Sequence, residues 1–159
     1  MTDPAVGDPV KPAHFLFVAG ALRERTSLES AQLQLSHELW GLRTALIRDN
    51  LSRYLATEAH GWVYALKSGI CAGFKITSGV LSVSELSEFI REDLRGETAY
   101  GFVRIADIRT WPSSPERSLE LLRRVLEVPD DAELSRRLAL GMHGLTRAQH
   151  DALAEGLNK

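Results

Sequence analysis

His14-Phe15-Leu16-Phe17-Val18-Ala19, then Trp40-Gly41-Leu42, then Gly61-Trp62-Val63-Tyr64-Ala65-Leu66, then Ser68-Gly69-Ile70-Cys71-Ala72-Gly73-Phe74-Lys75-Ile76-Thr77-Ser78-Gly79-Val80 are the segments on which the fold turns. The first is an unbroken apolar run too short for a stable helix, which predicts a buried central strand. Gly61 to Leu66 predicts a second strand, and Ile70 to Thr77 a third. Lys67-Ser68-Gly69 between them is a tight-turn sequence, so the pair reads as a hairpin. Gly73, inside the third strand, marks a bulge or a close backbone approach.

Working outward, the remaining segments are mostly helical. Leu28, Ala31, Leu35 and Leu39 share one helical face, predicting a helix over 27–39 that starts near Ser27 and leads into Trp40. A second helix is expected over about 44–56, and a third over 82–94 with Leu86, Phe89, Ile90 and Leu94 as its apolar face. Tyr100 to Ile108 reads as a fourth strand. Ser113 or Ser114 before Pro115 predicts a helix to Leu126, and Asp130 to Leu140 predicts another. Thr146 with Gln149 forms a capping box for a last helix to Leu157. The class is α+β: a mixed sheet surrounded by helices. Residues 1–12, with Pro4, Pro9 and Pro12, read as a disordered leader, and 13–159 as a single domain.

The chain has 159 residues, 44% hydrophobic and 25% charged, the make-up of an ordinary soluble domain. A net charge of −2 excludes nucleic-acid binding by overall charge, so any such contact has to be a local basic patch. A single cysteine excludes an internal disulfide and fits a reducing, cytoplasmic setting. No segment approaches the roughly 20 apolar residues of a membrane helix, and the leader lacks the apolar stretch of a signal peptide.

Catalysis finds little support in the residues. Cys71 lies mid-strand, where a thiol packs as a small hydrophobe, and no base is placed beside it. The five histidines show no metal-ligand spacing. No glycine-rich phosphate loop is present, and the acid pairs fall on solvated helix faces. Neither a cofactor nor a metal is implied. The tryptophans are more suggestive. Trp40 precedes Gly41 at an expected helix-to-loop junction, where an indole can either lid the core, the commoner role, or wall a pocket for a flat ring. Trp62 alternates with Tyr64 as core, and Trp111-Pro112 leaves the fourth strand as core edge or platform. Arg23, Arg25, Arg43, Arg48, Arg53, Lys67 and Lys75 either gather into a phosphate-contacting rim or pair with nearby carboxylates on solvated faces.

Taken in order, the first strand, a helix, Trp40-Gly41, a helix with Asn50-Leu51, the strand Trp62-Val63-Tyr64-Ala65, a Ser-Gly turn and Gly73-Phe74-Lys75-Ile76-Thr77-Ser78 resemble the YTH and EVE branch of the PUA-like fold. Trp-Gly at the first position is the EVE form, and Met142 to Leu153 resembles the helix that closes EVE domains. The resemblance implies a PUA-like mixed β-barrel with helices around it. It implies a non-catalytic domain that reads a methylated or hydroxymethylated base flipped into an aromatic pocket, in DNA or in RNA, as in modification-dependent restriction systems with a nuclease partner. By position, Trp40 would be the first cage wall, and Val18, Ala19, Gly20 and Ser27 would meet the base edge. Arg23, Arg25, Arg43, Arg48 and Lys75 would meet phosphates. The second cage tryptophan of YTH proteins has no counterpart in 79–99, so Leu81 or Trp111 would complete the wall. The Gly-x-Lys-x-x-Glu-x-Arg motif of the ribonuclease-like ASCH relatives is absent. A protein-interaction module on the same fold without a base pocket is the alternative, and a nucleotide hydrolase the third.

Overall fold

The computed structural model describes residues 14–21, 25–55, 59–112 and 114–158. The leader expected at 1–12 and Arg23 lie outside them. Among the described residues the chain runs β1 (His14–Ala19), α1 (Ser27–Ser36), β2 (Leu39–Gly41), α2 (Ala45–Tyr54), β3 (His60–Ala65) and β4 (Gly69–Ile76). A 3₁₀ turn (Val83–Glu85) leads to α3 (Glu88–Asp93), β5 (Phe102–Thr110), α4 (Pro115–Leu126), α5 (Asp131–Leu138), β6 (Met142–Leu145) and α6 (Arg147–Leu157). The strands form one mixed sheet in the order β2-β5-β4-β3-β1-β6, an α+β half-barrel as expected. β1 and β3 pair in parallel, from Phe15 opposite Gly61 to Ala19 opposite Ala65. A parallel pair needs a long crossover, and α1, β2 and α2 supply it.

Alternation along the strands sends apolar side chains to both faces. Phe15, Phe17, Val63 and Phe74 pack on one side with Trp40 and with Ala31, Leu35, Ile47 and Leu51 of α1 and α2. Leu16, Trp62, Tyr64 and Ile70 pack on the other with Leu121, Leu122 and Val125 of α4, Leu134 of α5 and Leu153 of α6. Phe15 and Leu16 are fully buried, each contributing about 1.5–3 kcal/mol of transfer free energy. Burial on both faces explains why β1 reads as continuous hydrophobics and not as an alternating strand.

Several expectations need correcting. The first helix does not reach residue 39. Thr26, not Ser27, caps it in a reciprocal box with Glu29, and it ends at Ser36. Glu38 then turns left-handed, with φ +57°, and Leu39-Trp40-Gly41 becomes a strand opposite Arg104-Val103-Phe102. Trp40 therefore sits on a strand and not at a loop junction. The helix expected over 82–94 divides in two, because Ser82 caps the 3₁₀ turn and Ser87 caps α3, with Leu86 extended between them. Phe89, expected in the core, is 74% exposed. Finally, β6 was not anticipated. It is four residues long and exists by pairing antiparallel with β1.

Candidate nucleic-acid interface

Trp40 is 4% exposed. Its ring lies 5.9 Å from Phe17 and 6.1 Å from Phe74, tilted against both. Beside it opens a pocket of about 200 Å³, walled by the end of β1 (Phe17, Val18, Ala19, Gly20), by Gln34 and by Gly41. That space equals about seven waters at about 30 Å³ each, the scale of a single flat ring. Leu66 and Leu140 line its mouth and are 42% and 58% exposed.

Behind the pocket lies a buried polar network. Glu97 has no exposure. Its carboxylate accepts hydrogen bonds from the Ser30 hydroxyl, from Arg43 Nε at 2.8 Å and from Gln34 Nε2 at 3.4 Å. Arg43 Nη2 stands 2.6 Å from the same carboxylate and donates to the Gly20 carbonyl at 2.8 Å. Arg25 Nη1 approaches it at 3.7 Å. Gln34 Oε1 accepts the Gly41 N–H at 2.8 Å, which fixes the orientation of its amide. A buried carboxylate is tolerated only when it is paired and hydrogen-bonded in this way. Gly41 is required by the same packing. A β-carbon there would stand 2.3 Å from the Glu97 carbonyl oxygen, so the residue after Trp40 has to lack a side chain.

No protein-family model matches the sequence, and no curated protein sequence does. Among solved structures, human THYN1 in complex with DNA containing 5-methylcytosine is similar, with a TM-score of 0.61 at 16% identity. The likeness covers 92% of this chain and 98% of that one. A protein from Pseudomonas putida is similar at a TM-score of 0.53 and 16% identity, over 91% of this chain and 99% of that one. At 16% identity to each, the likeness is one of fold: this chain shares the fold of human THYN1.

Of the residues singled out by sequence, this fold brings Trp40, Val18, Ala19, Gly20 and Arg43 to one pocket. Ser27 begins α1, is buried, and does not line it. Leu81 pairs with Phe102 and borders a separate depression with Arg48 and Tyr100. Trp111 stacks on Trp62, in the other core, at 5.6 Å. The cations divide likewise. Arg43 and Arg25 turn inward on Glu97, Arg25 also donating to the Asp93 carbonyl at 3.1 Å. Arg48 pairs with Asp49 at 3.0 Å and lies over the Tyr100 ring. Lys75 lines a different cleft with Trp62 and Trp111.

Sequence reasoning missed Glu97, Ser30 and Gln34, and it missed one gathering of histidines. His14, His60 and His150 come from β1, β3 and α6, and one ring nitrogen from each lies within 4.8 Å of the others. Their hydrogen bonds decide what the cluster can do. The Trp62 indole N–H, which can only donate, reaches His150 Nδ1 at 2.9 Å, and the His60 backbone N–H reaches His14 Nδ1 at 3.1 Å. Both Nδ1 atoms therefore carry lone pairs, and the protons sit on Nε2. A metal would need a free lone pair from each ring, and two of the three are already engaged. Burial, with the neighbouring His150, His60 and Arg147, lowers the pKa of His14 to about 4. Burial also lowers that of His150. Cys71 is buried and its thiol is pushed up to about 11, so it is neither a nucleophile nor a ligand at neutral pH.

Proposed function

We propose that this domain is a non-catalytic reader of a modified base in DNA, taken out of the stack into the pocket beside Trp40. The observation that carries the reading is that pocket: a ring-sized concavity at the end of β1, with Trp40 in its wall and Gln34, Arg43 and Thr44 among its lining residues. The fold shared with THYN1, solved on 5-methylcytosine DNA, supports the same reading. Extruding a base costs a few kcal/mol and is offset by stacking and edge hydrogen bonds. Trp40 is 4% exposed and lines the pocket. The ring acts as a wall, and Phe17, Ile47, Leu138 and the two leucines at the mouth add to the apolar surface. The pocket holds no nucleophile–base pair, so any cleavage of the marked DNA would fall to a separate nuclease chain in a cytoplasmic restriction system.

The near-complete burial of Trp40 is the one feature that favours a protein-interaction module, and the open pocket beside it weighs the other way. Titration of oligonucleotides carrying unmodified, methylated and hydroxymethylated cytosine against the wild-type protein and Trp40→Ala decides between them. A reader prefers one modified form, and Trp40→Ala removes that preference. Equal affinities for all three in both proteins sink the proposal.

A further inference from the structure

A second cleft, about 530 Å³, opens away from the Trp40 pocket and is lined by Trp62, Trp111, His60, His150, Lys75 and Arg109. Its volume falls in the range of about 300–1,000 Å³ typical of small-molecule sites. Four aromatic rings step along it: Trp111 to Trp62 at 5.6 Å, Trp62 to His150 at 5.4 Å and His150 to His60 at 4.8 Å. The hydrogen bond from the Trp62 indole to His150 pins two of these rings. Gly73 makes room for the indoles, since a β-carbon there would stand 3.0 Å from Trp62 Cε3 and 3.3 Å from Trp111 Cη2.

The strand beside these rings is bent toward the cleft. Pairing between β4 and β5 passes from Gly73 opposite Arg109 to Lys75 opposite Ala106, so Asp107 and Ile108 face a single residue, Phe74. Asp107, at φ +52°, adopts a left-handed conformation unusual for a residue with a side chain. Such a bulge re-aims side chains, and bulges gather beside binding sites. Here it brings Asp107 and Arg109 to the lining. Among the described residues neither the Lys75 nor the Arg109 side chain forms an ion pair. In contrast to Arg43, these two cations have not been spent on a buried carboxylate.

We propose that this cleft binds a nucleotide unit, its base laid against the Trp111 ring and its phosphate held by Lys75 and Arg109. Aromatic platforms beside cations are how proteins take up bases and phosphates together without sequence preference. A purely apolar ligand would leave both cations unmatched, and a bare anion would leave the indole surface unused. Asp107 offers an acceptor to a base amino group or a sugar hydroxyl. Lys75, Arg109 and Asp107 together carry one net positive charge, which suits a monophosphate unit of a strand or a free mononucleotide.

The test follows the three indole N–H signals by ¹⁵N NMR, assigned by single Trp→Phe variants, during titration with adenosine monophosphate, adenosine, inorganic phosphate and a single-stranded tetranucleotide. The monophosphate is expected to shift the Trp62 and Trp111 signals. Adenosine and phosphate alone are expected to bind at least about tenfold more weakly. A tetranucleotide that binds more tightly than the monophosphate identifies a strand as the source, and equal affinity identifies a free nucleotide. Trp111→Ala, or Arg109→Ser with Lys75→Ser should the first variant fail to fold, is expected to weaken the monophosphate at least about tenfold, and Trp40→Ala to leave it unchanged. No shift at millimolar monophosphate, phosphate binding as well as the nucleotide, or a response confined to Trp40 overturns the proposal. The Trp40 control separates its failure from failure of the modified-base reading.

Discussion

The Arg43 guanidinium stands 2.6 Å from the Glu97 carboxylate, and the carboxylate is wholly out of solvent. The same guanidinium holds the Gly20 carbonyl. Through Gly20, Ser30 and Glu97, one charge pair thereby ties the end of β1, helix α1 and the segment after α3 together behind the Trp40 pocket.

Removing one partner of such a pair strands the other. Arg43→Ala leaves Glu97 buried without its principal counter-charge, and a loss of about 3–5 kcal/mol is expected. The double variant Arg43→Met with Glu97→Gln is expected to recover part of it, because no ion is then left unpaired. Urea unfolding of the two proteins checks this, and a double variant no more stable than Arg43→Ala would contradict it.

Gly41→Ala places a methyl group 2.3 Å from the Glu97 carbonyl oxygen. One side is a main-chain carbonyl and the other a β-carbon whose place the main chain fixes, so neither can swing aside. A loss of about 1–3 kcal/mol is expected, the usual cost of overpacking, together with displacement of Trp40 and weaker binding of modified DNA. Gly79→Ala is the control, because nothing lies within 4 Å of a β-carbon at that position.

The outline of the fold was legible wherever local signals agree with tertiary packing. β1, β3 and β4 announce themselves by apolar runs around a turn, and α4 and α6 by Pro115 and by the Thr146 box. β2 was not legible, because three residues carry no period and Leu39 also fits the face of α1. Only the partner strand β5 makes it a strand. The pocket was half legible. Trp40 and the end of β1 are local features of the motif order, whereas Glu97 meets Arg43 across 54 positions and lies in a polar stretch with no periodicity of its own. The histidine cluster was invisible for the same reason. Its members are joined across 46 and 88 positions through His14–His60 and Trp62–His150, and no spacing rule spans that.

Cys71 is expected to be inert while the fold persists. Burial pushes its thiol up to about 11, so at pH 8 only about one molecule in a thousand carries the thiolate, against roughly a quarter for a free cysteine. Reaction with a disulfide reagent such as Ellman's is expected to be at least about a hundredfold slower than for a free thiol, and to become fast in denaturant. Rapid labelling of the native protein would show that β4 opens.

Stability is expected to rise with pH between about 4 and 6.5 and to be flat above. His14 is neutral in the fold down to a pKa of about 4, while the unfolded chain takes up that proton near 6.5. Between the two values the unfolded state binds more protons, so acid favours unfolding. The shift caps this contribution at about 3 kcal/mol. His150, lowered in the same direction by burial and by His60, adds to the slope. The mechanism is geometric as well as electrostatic. A proton on His14 Nδ1 or His150 Nδ1 would face an N–H donor, from the His60 backbone or from the Trp62 indole, and would loosen β1 from β3 and α6 from the sheet. Denaturant unfolding of wild type and His14→Gln from pH 4 to 8 tests it. The variant is expected to lose part of the acid slope, and an unchanged slope would place the acid sensitivity elsewhere.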